Sequence, residues 1–173
     1  VFGEAERLGL TLTVGIEMDA DLDGMEVHLL GFGMDPTDAD LGKHLARVRE
    51  TRFERARLEI GIVNGLLGAE AIQDSDIFVP GREILMKPHF IRPLIRQGRF
   101  ASYDEANAWF HQHVKSGVSV PRPTLEEAIG LVHGAGGWTV LAHPGYYEKD
   151  GYPVAERLAV LRGMGLDGIE LDY

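Results

Sequence analysis

The sequence has no cysteine. Disulfides and thiolate ligands are therefore excluded, and any metal must be held by His, Asp and Glu, a donor set suited to Mn, Fe, Zn or Mg. No apolar run reaches the roughly 20 residues that span a bilayer. No charged N-terminal segment precedes a short apolar core, as it would in a secretion signal, so the expected location is the cytoplasm. Nothing in the pattern marks a membrane surface or a protein partner. A phosphate-cradling glycine loop is also missing, because Gly134-Ala135-Gly136-Gly137 precedes an apolar stretch instead of following one and reads as a helix end and tight turn. Ser102, Ser116 and Ser119 lack the flanking glycines of a nucleophile elbow, which argues against a serine hydrolase.

Positive charge is scarce, and it is concentrated. The chain carries 17 Lys and Arg against 27 Asp and Glu, a formal net charge of −10. From Lys43 to Arg99, however, 11 basic residues face 7 acidic ones, which leaves 6 basic and 20 acidic residues elsewhere. A basic island in an acidic protein is either a solvated helical face or a collector of anions, since the arginine fork fits phosphate oxygens in a bidentate way.

With 173 residues, 45% of them hydrophobic, the chain can bury the core of one domain with a smaller appended layer. Phe2 to Gly9 reads as the last turns of a helix ending at glycine, and Gly168 to Tyr173 reads as strand-like, so the sequence looks like a piece of a longer protein. Residues 10–17 and 26–33 have the β-rich composition of two strands, joined by the acidic Asp19 to Gly24 with Asp23-Gly24 as a hairpin turn. From Asp38 the period becomes helical, and no strand signal appears between about 40 and 118. Thr124 and Glu127 have the spacing of a capping box, followed by a helix to Gly134, a strand at 138–142, a loop at His143-Pro144-Gly145, a helix starting near Pro153 and a strand at 167–171. This predicts an α/β fold in three stretches: residues 1–40 and 119–173 form a parallel barrel or sheet, and residues 41–118 form a helical insertion.

Three residues point to metal chemistry. His143 ends the apolar run Trp138-Thr139-Val140-Leu141, with Pro144-Gly145 stopping the strand and leaving the imidazole at its tip, where α/β active sites gather. Glu17 follows Leu10 to Ile16 as a carboxylate at a strand end, and His28 alternates with Val27 and Leu29 and so points to the opposite face. Singly, each has a bland alternative, a surface acid or a satisfied core histidine; together they suggest a metal site. In the basic island, Lys87, His89 and Arg92 lie in a stretch from Ile84 to Tyr103 without an acidic residue. A helix starting near Pro88 puts His89 and Arg92 on one face at i and i+3, and we expect these three residues to hold a substrate phosphate that is not cleaved. His111 and His113 diverge on the helix predicted there and read as surface or packing residues.

Gly15-Ile16-Glu17, Val27-His28-Leu29-Leu30-Gly31, Leu141-Ala142-His143-Pro144 and Asp167-Gly168-Ile169-Glu170 together resemble the polymerase-and-histidinol-phosphatase (PHP) superfamily of metal-dependent phosphoesterases. Their order resembles the branch acting on nucleoside 3′,5′-bisphosphates and RNA 5′ ends, whose helical insertion carries a motif like Arg-Pro-His-Phe-Ala-Arg; this chain reads Lys87-Pro88-His89-Phe90-Ile91-Arg92. The resemblance implies a distorted seven-stranded (β/α) barrel, of which part is present. It implies two or three divalent cations (Mn, Fe or Zn, with Mg an option), held in part by Glu17, His28 and His143, with Glu17 and His143 at the catalytic centre. It also implies a nucleotide or short RNA as substrate. The family's opening His-x-His, following Asp-His pair and closing Asp-x-His are not found. Two other readings stay open: a phosphatase of a small non-nucleotide monoester such as histidinol phosphate, and a non-catalytic module binding nucleic acid through the basic island.

Overall fold

The computed structural model describes residues 2–171. In chain order the elements are α1 (Phe2–Arg7), β1 (Gly15–Leu22), β2 (Met25–Phe32), α2 (Ala39–Leu67), α3 (Asp74–Ile77), α4 (Lys87–Arg96), α5 (Tyr103–His113), α6 (Leu125–Gly134), β3 (Trp138–Leu141), α7 (Pro144–Lys149), α8 (Val154–Gly163) and β4 (Gly168–Ile169). They form two compact units, Val1–His44 with Arg122–Tyr173, and Leu45–Pro121.

In the first unit the strands lie in the order β1-β2-β3-β4. The sheet is mixed, since only β3 and β4 run parallel while β1–β2 and β2–β3 are antiparallel; the hairpin is as expected, and the antiparallel β2–β3 pair corrects the expectation of a parallel barrel or sheet. The β1–β2 hairpin turns through Asp23 (φ 55°) and Gly24 (φ 86°), so both central residues are left-handed, as a two-residue turn matched to strand twist requires. That turn sets Leu22 opposite Met25 and Asp19 opposite His28. Along β1, Met18, Ala20 and Leu22 are buried while Glu17, Asp19 and Asp21 take the other face. The acidic stretch read as a loop is therefore half of a strand, and Leu10 to Val14 lie outside it. Its carboxylates resemble a loop by composition, but they alternate with buried residues at the period of two that a strand requires.

The buried face packs on α6, where Thr124 and Glu127 form the expected capping box and Leu125, Ala128, Ile129 and Val132 meet Val27, Leu29 and Leu141 in one core. β3 ends at Leu141, and the predicted loop after it is instead the short helix α7. At the opposite end of β3, the Asp167 carboxylate accepts from the Thr139 N–H (2.7 Å), the Thr139 hydroxyl (3.0 Å) and His133 Nε2 (2.8 Å), and these bonds hold it below the usual aspartate range, with the His133 bond the largest cause.

The second unit is wholly helical among the described residues. Asp38 starts α2 by accepting from the N–H groups of Asp40 and Leu41. Asn64 ties the end of α2 to Ile72 through both its amide oxygen and its amide nitrogen. Phe90 and Leu94 of α4 pack with Phe110, Ile72, Ile77 and Val63 in a separate core. Among the described residues no helix is long and apolar enough to cross a membrane.

Candidate metal centre

Glu17 and His28 project from the solvent face of the hairpin as diagonal neighbours, because Glu17 pairs with Leu30 and His28 with Asp19. Glu17 is the third residue of β1 and not its end, so its position depends on the pleat and not on a strand tip. His143 does sit at a tip. It has φ 51° and ψ 43°, a left-handed conformation uncommon outside glycine, asparagine and aspartate, which breaks the strand and starts α7 with Pro144. The Glu170 carboxylate, just beyond β4, accepts from the His143 N–H at 2.9 Å and lies 3.3 Å from His143 Nδ1. That leaves His143 Nε2 facing Glu17 Oε1 at 3.5 Å, while His28 Nδ1 lies 2.9 Å from the same oxygen.

These separations can be tested against a cation. Ligand atoms about 2.0–2.2 Å from a shared metal, at angles between square and tetrahedral, lie roughly 2.8–3.6 Å from one another. The Glu17–His28–His143 donors all fall within 4.8 Å of each other, and both contacts to Glu17 Oε1 fit that range. His28 Nδ1 is buried and has no hydrogen-bond partner, because its approach to Glu17 is close but wrongly angled for a hydrogen bond. A buried imidazole nitrogen close to a carboxylate but without a hydrogen-bond partner is suited to a ligand position. The donor set therefore fits a divalent cation. Glu170 stands behind His143, its carboxylate bonded to the His143 main-chain N–H and close to Nδ1 of the ring.

Sequence reading missed four residues here. Asp19 Oδ1 lies 3.8 Å from His28 Nε2, and Asp19, Glu26 and His28 form a second close group. The Asp23-Gly24 turn, with its two-residue loop, already implied the Asp19–His28 pairing. Glu170 belonged to a quoted motif without a role. Tyr147 of α7 is buried and accepts from the His28 N–H at 2.8 Å; burial is the main cause raising its phenol above the ordinary tyrosine value.

Lys87, His89 and Arg92 all lie on α4, in the helical unit. His89 Nδ1 accepts from the Met86 N–H at 3.0 Å, so the ring caps its own helix. Its pKa is lowered, first by burial and then by Arg82 and Arg92. The ring is therefore neutral near pH 7, with Nε2 carrying the proton, and Arg92 beside it is exposed. Much of the basic island is engaged locally: Arg82 donates to the Asp76 and Ile77 carbonyls, Arg99 to the Leu67 carbonyl, and Arg55 and Arg96 pair with Glu59 and Asp76. His113 stacks on Trp109 with its Nδ1 against the Trp109 carbonyl, a packing role.

No protein-family model matches the chain. It is similar to proteins that break phosphate esters. It is 32% identical over 173 residues to the 3′,5′-nucleoside bisphosphate phosphatase of Chromobacterium violaceum, a match covering 96% of this chain and 59% of that protein. It is 32% identical over 153 residues to the 5′-3′ exoribonuclease Rnm of Escherichia coli, covering 83% of this chain and 50% of the relative. Among solved structures, one from Bifidobacterium adolescentis described as a metal-dependent phosphoesterase superposes with a TM-score of 0.80 at 27% identity, over 98% of this chain and 60% of that one. The chain thus spans between half and three fifths of the length of the proteins it matches.

Proposed function

We propose that this chain carries part of the active centre of a metal-dependent phosphoesterase, a hydrolase acting in the cytoplasm on a phosphate monoester of a nucleotide or short oligonucleotide. The observation that carries the reading is the convergence of Glu17, His28 and His143, with the buried His28 Nδ1 2.9 Å from Glu17 Oε1 and making no hydrogen bond. The similarity to a bisphosphate phosphatase and an exoribonuclease supports the choice of substrate class. The mixed sheet is then part of a distorted seven-stranded barrel.

Glu17, His28 and His143 are the residues of this chain that would hold divalent cations. We assign two or three divalent ions, Mn, Fe or Zn, with Mg as an alternative. The chemistry supplied at such a site is neutralisation of the phosphate's non-bridging oxygens and a nucleophile active near neutral pH. Glu170 holds His143 at the strand tip by accepting from its main-chain N–H. For Lys87, His89 and Arg92 the reading is phosphate recognition: Arg92 supplies the bidentate fork, Lys87 a point charge, and His89 a neutral Nε2–H, its Nδ1 being engaged with Met86.

Elemental analysis of the purified chain beside His143→Ala tests the centre. Stoichiometric Mn, Fe or Zn that disappears in the variant supports it, and no metal in either refutes it. Comparing phosphate release from a nucleoside 3′,5′-bisphosphate and from histidinol phosphate then separates the nucleotide reading from a small-monoester one.

A further inference from the structure

The left-handed turn at His143 interrupts the sheet at a place that matters to His28. The His28 carbonyl accepts from the Ala142 N–H at 3.0 Å, which carries the β2–β3 ladder one residue past the Leu29–Leu141 pair. In an antiparallel ladder the N–H of that same residue faces the same neighbour and expects a carbonyl there. Because His143 has turned the chain into α7, the His28 N–H meets the Tyr147 hydroxyl oxygen instead, at 2.8 Å. Tyr147 is 6% exposed and belongs to the core beneath the sheet. It lies four residues after His143, so a single short helix begins at one histidine and bonds back to the main chain of the other.

We infer that Tyr147 is a positioning residue: its hydroxyl completes the interrupted ladder at His28 and so sets the separation between the His28 and His143 rings. The rings sit edge to face with centroids 5.6 Å apart, and both address Glu17 Oε1. Removing the hydroxyl leaves a partly buried N–H without that partner and lets β2 shift locally at the residue whose ring must not move. The inference rests on the reading of His28 as a metal ligand. A side chain that only packed would need its ring and not its oxygen.

The test uses Co²⁺ alone as the probe, with Tyr147→Phe compared against Leu161→Ala, a core truncation in α8 that destabilises the same unit from outside the hairpin. In Tyr147→Phe, Co²⁺ affinity is expected to fall about tenfold or more, as for other groups that orient metal ligands, with a changed visible absorption band. Leu161→Ala is expected to lower the melting temperature at least as much and keep the parent band. Equal affinity and an identical band in Tyr147→Phe overturn the inference while leaving the metal centre standing. A parent chain that binds no Co²⁺ overturns the metal reading, and the role of Tyr147 with it. Amide exchange on the unaltered protein gives a check that needs no variant: a His28 amide exchanging at the rate of an unprotected one refutes the bond directly.

Discussion

Two glycines near the metal-bearing strands respond oppositely to the same added methyl group. Gly137 immediately precedes β3 at a tight approach: a Cβ there would lie 2.8 Å from the Phe32 carbonyl oxygen, 2.9 Å from a Val132 methyl and 3.1 Å from Met34 Cβ. Two of these are main-chain or stiff groups, so β2 and the end of α6 must separate by a few tenths of an ångström. Overpacking of this kind costs about 1–3 kcal/mol. For a cooperative unit of about a hundred residues, that lowers the melting temperature by roughly 4–20 °C. Gly130 is an exposed position inside α6 with nothing within 4 Å of its built Cβ, so Gly130→Ala gains helix propensity and stabilises by about 0.5–1 kcal/mol. Thermal unfolding followed by circular dichroism measures both. Gly137→Ala melting at or above the parent temperature would refute the claim that close approach, and not turn conformation, demands glycine there. Gly137 adjoins the Phe32–Trp138 end of the ladder, away from His28, so metal content is expected to survive in the folded variant.

Other consequences can be checked alongside. Adding Mn²⁺ or Zn²⁺ at a hundred times its dissociation constant stabilises the chain by about 2.7 kcal/mol, and Glu17→Ala abolishes that upward shift in melting temperature; an undiminished shift means the cation binds elsewhere. Asp167 has a folded-state pKa below its unfolded value of 3.8, so its contribution is complete above that pH and is lost as pH falls through the lower folded value. The stability gap between the parent and Asp167→Asn therefore closes as pH falls below about 4, and a gap that widens below that pH contradicts the assignment. Arg92→Ala, at an exposed site, weakens binding of a nucleoside 3′,5′-bisphosphate in calorimetry without changing the melting temperature. His89→Ala lowers the melting temperature as well, because it removes the acceptor for the Met86 N–H, a bond of about 0.5–1.5 kcal/mol. Identical melting for the two variants would refute the capping role.

Why some of this was legible in the sequence and some not follows from the range of the forces involved. The α6 cap, the Asp23-Gly24 turn and the Gly9 helix end are local: each is set by side chains within four residues, and each appears as expected. β1 runs through the acidic stretch because Met18, Ala20 and Leu22 alternate with Glu17, Asp19 and Asp21, a periodicity that the loop-like carboxylate composition masks. A strand with one wet face can carry acids on it when its other face is buried. His143 was visible through Pro144 and Gly145, which stop a strand by local chemistry. Glu170 and Tyr147 were invisible as partners of the histidines because they contact them through the backbone N–H, a group that every non-proline residue has and no pattern marks. The same reasoning covers the basic island: counting charges shows an excess, but whether an arginine meets solvent or a carbonyl depends on helix ends such as those at Leu67 and Ile77, which exist only after folding. Of the arginines that made the segment look like an anion surface, Arg92 remains exposed beside His89, and that pair is where a phosphate-binding claim must be tested.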